Sequence, residues 1–353
     1  MDLGKIRGLQ RMTSPAGFFE ICALDHQSDF TGLLAADPAT VTYADVVAAK
    51  DELVRALSPS VSGWLLDARY GLQAVATGAL PGASGLICAI EDEDYAIPEG
   101  PRRTRYRDGW SLRQIKLAGA DAAKLLWFYR PDGDAATAAH QRGVVRGLAT
   151  ECEVLGLPLI VEPIWYPLPG EDPTAPQWKV ARADGILASA FEADALGADL
   201  LKVEFPGYLG DKHERAVAVI ACRELDAGVK APWVILSAGV GYATFKAQVQ
   251  IASMAGASGY IAGRSIWHDV ISIHDPARRA AAKVKACSRL DELNAIVRVS
   301  GRPYTAAQSL LDVIEAMPDG WYRTFQVPAG DGAPPSDRPQ PGGRAAAHGA
   351  RAG

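Results

Sequence analysis

Three ionisable residues lie where apolar ones would be expected. Lys124 sits in Ala-Ala-Lys-Leu-Leu-Trp-Phe, Glu162 in Leu-Ile-Val-Glu-Pro-Ile and Lys202 in Leu-Leu-Lys-Val-Glu-Phe. Lysine and glutamate are rarely buried unless paired, because moving an ion out of water costs several kcal/mol even after relaxation. A buried ion pair fixing strand register would explain any one of them. Three in consecutive apolar runs point instead to a shared site. A lysine beside another cation in a partly dry site loses its proton more easily, and the neutral amine attacks carbonyls. Attack on a ketone gives a carbinolamine and then an imine, an electron sink that permits cleavage of a neighbouring C–C bond. This chemistry casts Lys202 as nucleophile, Lys124 as the cation favouring its neutral form, and Glu162 as the acid–base group. Strand alternation puts Lys202 and Glu204 on one face, and strands about 4.8 Å apart would let Glu162 meet Lys202 from the neighbouring run.

Metal chemistry has less behind it. The six histidines include no H-x-H and no H-E-x-x-H, the clustering that a zinc site needs. Asp25 and Asp67, each ending an apolar run, are the residues that a divalent ion would use. No metal or other cofactor is expected.

The elements that must position these groups recur with a clear rhythm. Eight short apolar runs, Phe18–Asp25, Ser62–Asp67, Gly85–Ile90, Asp121–Phe128, Leu157–Ile164, Asp199–Pro206, Pro232–Gly239 and Ser258–Arg264, alternate with longer amphipathic segments. Runs this short and continuous suit strands of a parallel sheet buried on both faces. Helical patterns cover Tyr43–Leu57, Thr137–Leu155, Phe191–Leu196, Glu214–Leu225 and Thr244–Met254. Gly119, Gly197 and Gly256 stand just before strands, where glycine ends a helix in a left-handed cap. Eight repeats predict a (β/α)8 TIM barrel. An open doubly wound sheet would carry a glycine-rich loop after its first strand, and Asp25-His26-Gln27-Ser28-Asp29 is no such loop. Extra C-terminal helices are expected over Asp291–Val299 and Thr305–Met317, giving one domain over 1–327. Residues 328–353, rich in Pro, Gly, Ala and Arg, read as a disordered tail.

In this fold the loops after strands seven and eight commonly hold phosphate. Ser237 and Gly239 follow the seventh run, Gly263 and Arg264 the eighth. Glycines there let backbone N–H groups approach an anion, and arginine adds a fixed positive fork.

Composition removes other classes of function. With 36 Lys and Arg against 41 Asp and Glu, the net charge of −5 and the lack of a polybasic run argue against nucleic acid or an anionic membrane as a partner. No apolar stretch is long enough to span a bilayer, and the N-terminus lacks a signal-peptide core. Five scattered cysteines suit a reducing cytoplasm and the role of small buried hydrophobes. A homo-oligomer is the default expectation.

The longest motifs, Ala-Asp-Leu-Leu-Lys-Val-Glu-Phe-Pro, Pro-Trp-Val-Ile-Leu-Ser-Ala-Gly-Val and Ala-Gly-Ala-Ser-Gly-Tyr-Ile-Ala-Gly-Arg-Ser-Ile-Trp, resemble the class I tagatose-1,6-bisphosphate aldolase family, which includes the sulfofructosephosphate aldolases. The Ala-Lys-Leu-Leu-Trp-Phe-Tyr-Arg and Ile-Val-Glu-Pro segments match as well, and the likeness runs from about Phe18 to Val270. It implies a Schiff-base lysine at Lys202, an acid–base glutamate at Glu162, a second lysine at Lys124 and an acid at Asp25. It also implies a phosphate site near Ser237, Gly239, Gly263 and Arg264. The implied reaction splits a ketohexose phosphate reversibly into dihydroxyacetone phosphate and an aldehyde.

One departure stands out. The family's Asp-Gln-Arg after the first strand is here Asp25-His26-Gln27. The far end of the sugar, as phosphate, sulfonate or an uncharged group, is left open, with Gln27, Arg69 and Arg130 the residues that could meet it. Two other functions fit the residues: sugar-phosphate isomerisation or epimerisation without a covalent intermediate, and phosphosugar binding without turnover.

Overall fold

The structure, a computed structural model, describes residues 2–92, 102–305, 309–323 and 325. Its core is a closed barrel of eight parallel strands in sequence order. The strands are β1 (Phe19–Leu24), β2 (Gly63–Leu66), β3 (Gly85–Ala89), β4 (Ala122–Phe128), β5 (Leu159–Ile164), β6 (Leu200–Val203), β7 (Trp233–Leu236) and β8 (Gly259–Ala262). Each falls inside one of the eight apolar runs. Every strand residue is buried except Phe128 and Ile164, the last residues of β4 and β5.

Alternation divides each strand between two cores. Phe19, Ile21 and Ala23 of β1 point inward and join Leu65, Ile87, Ala122, Ile160, Leu200, Val234 and Ile261 to fill the barrel. The intervening residues, such as Cys22, Trp64, Leu125, Val161 and Leu201, pack outward against the helices. A first helix, α1 (Leu3–Arg11), lays Leu9 against the inner cluster, as does Met12 just after it, closing the barrel at the N-terminal ends of the strands. The opposite mouth is left for polar groups.

The helices follow their local signals. After β1 come α2 (Ser28–Leu34) and α3 (Tyr43–Leu57). Thr42 and Asp45 form a reciprocal capping box on α3, and Val46, Ala49, Leu53, Val54 and Leu57 make its buried stripe. Then follow α4 (Gln73–Ala76), α5 (Leu112–Leu117), α6 (Ala135–Leu155), α7 (Pro176–Ala195), α8 (Lys212–Gly228), α9 (Tyr242–Ala255), α10 (Arg264–Ile271) and α11 (Pro276–Ser300). Gly119, Gly197 and Gly256 adopt φ of 85°, 101° and 121°, the left-handed conformations expected before strands.

Two helices are longer than expected by more than a turn at each start, while α6, α8 and α9 exceed their expected ranges by a few residues. α7 begins at Pro176, fifteen residues before the expected Phe191, and buries Trp178, Ile186 and Leu187 as well as the small Ser189, Ala190 and Ala193. α11 is one rod of 25 residues whose first half buries only Ala282 and Ala286. It braces the barrel through Arg298, which grips Glu20 in two hydrogen bonds of 2.6 Å, and Asn294, which accepts from Tyr260 at 2.6 Å.

The chain forms two compact units, Met1–Ser309 and Leu310–Gly353. The second contains α12 (Leu310–Ala316) and a short turn, Trp321–Arg323, with Trp321 edge-on to Phe325. The expected tail, 328–353, lies outside the described residues. Four cysteines are buried and Cys287 is half-buried, and all are free thiols. Among the described residues no helix is long and apolar enough to cross a membrane.

Candidate active site

The three singular residues meet at the C-terminal mouth. Ile160 pairs with Leu200 and Val161 with Leu201, so Glu162 and Lys202 stand level on β5 and β6. Lys124 starts one layer deeper, opposite Ile160, and its side chain rises to the same height. Lys202 Nζ donates to Glu162 Oε2 at 2.9 Å, and Lys124 Nζ lies 3.0 Å from the same oxygen. Lys124 Nζ also donates to Asp25 Oδ2 at 2.9 Å and to Glu91 Oε1 at 2.6 Å. The cluster is nearly dry, with Lys124 1% exposed, Lys202 5% and Glu162 6%.

A lysine ammonium has three N–H donors. Those of Lys124 face three carboxylates. Lys202 has Glu162 as its one hydrogen-bond partner among the described residues, which leaves donor directions open to the mouth.

Burial pushes the carboxyls of Asp25 and Glu162 upward, but the charges of Lys124 and then Lys202 outweigh it, and both stay ionised below the ordinary carboxylate range. His26 behaves differently. Burial pushes its imidazole down to about 3 despite the neighbouring Asp25 carboxylate. Its Nδ1, 3.6 Å from Asp25 Oδ1, is therefore a neutral neighbour and not half of an ion pair. The ring packs edge-on to Trp267, with centroids 5.3 Å apart.

Asp67 is spoken for by a third buried lysine. Lys50, on α3, donates to the carbonyls of Leu24 and His26 at 2.8 and 2.7 Å and pairs with Asp67 Oδ2. Asp67 Oδ1 accepts from the backbone N–H of Arg69 and Tyr70. This cross-link ties the ends of β1 and β2 to α3 and so holds Asp25 in place. No cluster of three or more potential metal ligands occurs among the described residues.

Across the mouth, the turns after β7 and β8 build a cleft of about 640 Å³ lined by Asp29, Gly239, Gly241, Arg264, Ser265 and Arg289. Ala238 and Gly239 adopt φ of 46° and 72°, a left-handed pair that turns the chain beneath the Arg264 guanidinium. A Cβ on Gly239 would approach that group to 3.3 Å, and one on Gly263 would strike the His26 ring at 2.8 Å. Arg264 Nη1 donates to Asp29 Oδ2 at 2.6 Å. The first turns of α9 and α10, which begin at this cleft, carry no side-chain cap.

Comparison with known proteins bears on this arrangement. The profile of the DeoC/LacD family aldolases matches residues 22–269, from the first strand through α10. The chain belongs to this aldolase family. Tagatose 1,6-diphosphate aldolase 1 of Streptococcus pyogenes serotype M3 is 29% identical over 313 residues, 83% of this chain and 95% of its own. Tagatose 1,6-diphosphate aldolase 2 of Streptococcus mutans is 26% identical over 87% of this chain and 98% of its own. Among solved structures, a Schiff base-forming fructose-1,6-bisphosphate aldolase aligns with a TM-score of 0.57 at 19% identity, covering 83% of this chain and 99% of that one. An archaeal fructose 1,6-bisphosphate aldolase gives 0.56 at 20%, covering 84% and 99%. These two likenesses are of fold.

In this DeoC/LacD aldolase the structure unites Lys202, Glu162, Lys124 and Asp25, and places Gly239 and Arg264 on one cleft. Ser237, buried at the end of β7, closes its turn by accepting from Val240 N–H at 3.0 Å. The candidates for the far end of a ligand scatter. Gln27 accepts from Arg107 at 2.9 Å. Arg69 is exposed and stacks on Tyr70, 4.7 Å from the ring centre, on the side of α3. Arg130 is held by other partners. It is buried, bonded to Asp132, to Glu171 and to the Tyr166 carbonyl, and stacked 3.8 Å from the Trp165 ring, so its charge is already neutralised. Glu204 is likewise engaged, with Arg182 at 2.7 Å and Trp165 N–H at 3.0 Å.

Sequence reading missed Glu91 and Lys50. Glu91 continues the inward parity of Ile87 and Ala89 two residues past the end of β3, a signal that was present. Lys50, on an amphipathic helix rich in charge, carries no sign of burial in its sequence context.

Proposed function

We propose that this aldolase cleaves a phosphorylated ketohexose, of the tagatose 1,6-bisphosphate or sulfofructose 1-phosphate type, through a Schiff base on Lys202. The observation that carries this reading is the buried pair Lys202 Nζ–Glu162 Oε2 at 2.9 Å, with Lys124 on the same oxygen. The relatives named for tagatose 1,6-diphosphate cleavage support the substrate class.

Glu162 accepts a proton from Lys202, and the neutral amine attacks the ketone carbon. The carbinolamine that results takes a proton back from Glu162 and loses water, leaving an iminium. Removal of the C4 hydroxyl proton then breaks the C3–C4 bond. The electron pair moves into the iminium to give an enamine, and the aldehyde leaves. Protonation of the enamine at C3 and hydrolysis release dihydroxyacetone phosphate and restore the amine. Lys124 holds the Glu162 carboxylate in place and favours its charged form between proton transfers, and Asp25 in turn holds the Lys124 ammonium. The phosphate of the dihydroxyacetone half is assigned to Ser237, Gly239, Gly263 and Arg264, a reading supported by Gly239 and Arg264 lining one cleft at the start of α9 and α10.

Borohydride reduction in the presence of dihydroxyacetone phosphate tests the mechanism. The expected product is a covalent adduct that maps to Lys202 by peptide mass spectrometry. An unmodified Lys202, together with turnover abolished by a chelator, would overturn it.

A further inference from the structure

The loop between β3 and α5 carries four arginines in six residues, Arg102, Arg103, Arg105 and Arg107. The structure ties this loop to the mouth. Asp92 N–H donates to the Arg105 carbonyl at 2.8 Å, Thr104 N–H to Gln141 Oε1 at 2.8 Å, and Glu91 bridges Tyr106. Arginines near this end differ in what holds them. Arg130 is neutralised by Asp132 and Glu171, Arg182 by Glu204 and Arg107 by Asp92 at 3.0 Å. The Arg102 guanidinium is held otherwise. It lies over two aromatic faces, 4.5 Å from the Phe128 ring centre and 5.2 Å from that of Tyr166, and no carboxylate partners it among the described residues. It is half-buried, so the charge has lost part of its water without gaining an anion among the described residues.

Its place in the barrel gives that charge a use. In a closed ring of eight strands taken in order, β4 stands across from β8. Phe128 ends β4 on the inward parity of Lys124, and Tyr166 follows the end of β5. Arg102 therefore marks the pole of the mouth opposite the Gly239–Arg264 cleft, with the Lys202–Glu162 pair between them. We propose that Arg102 binds an oxyanion on the far end of the sugar and makes this enzyme selective for ketoses charged at both ends. The aromatic faces fix the guanidinium plane while its N–H edge stays available for a tetrahedral oxyanion, phosphate or sulfonate. The role rests on the Schiff-base reading above and deepens it. It also accounts for the Asp25-His26-Gln27 departure, since the charge comes from another loop.

The test compares the wild-type enzyme, Arg102→Met and Arg102→Lys on three ketohexose 1-phosphates bearing a 6-phosphate, a 6-sulfonate or a free 6-hydroxyl. Wild-type kcat/KM is expected to be at least about tenfold higher for a charged far end, and the better of the two oxyanions identifies the group that is read. Arg102→Met is expected to lower that kcat/KM by about ten- to a hundredfold, the size of a lost hydrogen bond to a charged group, with the change mainly in KM. Its loss on the 6-hydroxyl sugar is expected to be at least about fivefold smaller, and Arg102→Lys to recover part of the difference. Equal losses on all three sugars, or no loss on the charged ones, would overturn the proposal. Borohydride trapping with dihydroxyacetone phosphate, which has no far end, separates the two readings and reports that each variant has folded. An adduct at Lys202 without selectivity refutes the Arg102 role alone, whereas a wild-type enzyme that forms no adduct refutes the Schiff base beneath it.

Discussion

Replacing Lys124 with methionine keeps an unbranched side chain one atom shorter and deletes one charge from a site where Nζ lies 2.6–3.0 Å from Asp25, Glu91 and Glu162. Lys202 then remains against three carboxylates. Breaking a buried pair in this way leaves uncompensated charge and costs about 3–5 kcal/mol. The protein can relieve that cost by taking up a proton, which gives the effect a pH dependence of known sign. In the wild type, Asp25 and Glu162 have depressed folded pKa values, because lysine charge outweighs burial. Such groups stabilise the fold above their unfolded pKa, and the contribution fades as the pH drops through the folded value. Without Lys124, burial is the largest remaining influence and drives both carboxyls upward. A group with a raised pKa destabilises the fold above its unfolded value of about 4, and the penalty disappears as it protonates. The stability deficit of Lys124→Met is therefore expected to be about 3–5 kcal/mol near neutral pH and distinctly smaller near pH 5. Urea unfolding of both proteins at the two pH values, with unchanged denaturant slope, measures it. A deficit that is equal at both pH values, or larger in acid, would refute the reasoning.

Glu162→Gln is expected to lower kcat/KM by about 10²–10⁴ with the fold intact, the range for loss of a positioned acid–base group; near-normal turnover would remove Glu162 from proton transfer. Lys50→Met is expected to destabilise the protein by about 3–5 kcal/mol by stranding Asp67. Adding Asp67→Asn should recover part of this, and a double-mutant cycle without coupling would show that the pair is incidental. Arg264→Ala is expected to raise KM for a ketose 1-phosphate by about ten- to a hundredfold through loss of a charge-assisted contact; steady-state kinetics on the 6-hydroxyl sugar isolates this end of the ligand.

The barrel was legible because a parallel strand buried on both faces has little choice of residue. Eight such runs, spaced by helices that end in Gly119, Gly197 and Gly256, admit few other folds. The helices α7 and α11 were only partly legible: the first half of α11 buries only Ala282 and Ala286, and in α7 Trp178 stands well apart from Ile186 and Leu187, so neither shows a strong hydrophobic period. At the site, Lys124, Glu162 and Lys202 stood out as charges among apolar neighbours. The surroundings of Arg130 were not legible for a physical reason: an arginine just past a strand end looks the same in sequence whether it faces a ligand or, as here, two carboxylates and a tryptophan ring. Arg102 offered no signal of its own, because its value depends on Phe128 and Tyr166 arriving beneath it from two other strands.

The three buried lysines show what residue type alone cannot separate. Lys50 spends its donors on two carbonyls and Asp67, with the Phe30 and Tyr70 rings about it. It holds loops together and has nothing left for a ligand. Lys124 is equally committed, to Asp25, Glu91 and Glu162, and its role is to keep negative charge in the mouth tolerable. Among the described residues Lys202 differs in having a single acceptor, Glu162, and that acceptor is the one it shares with Lys124. Moving the Lys202 proton to Glu162 leaves the proton beside Lys124 and within reach of the nitrogen that must later receive it. The proposal of Lys202 as nucleophile is supported by this count of donors and acceptors. It predicts that borohydride adducts, sought on all three lysines, appear on Lys202 and are absent from the other two.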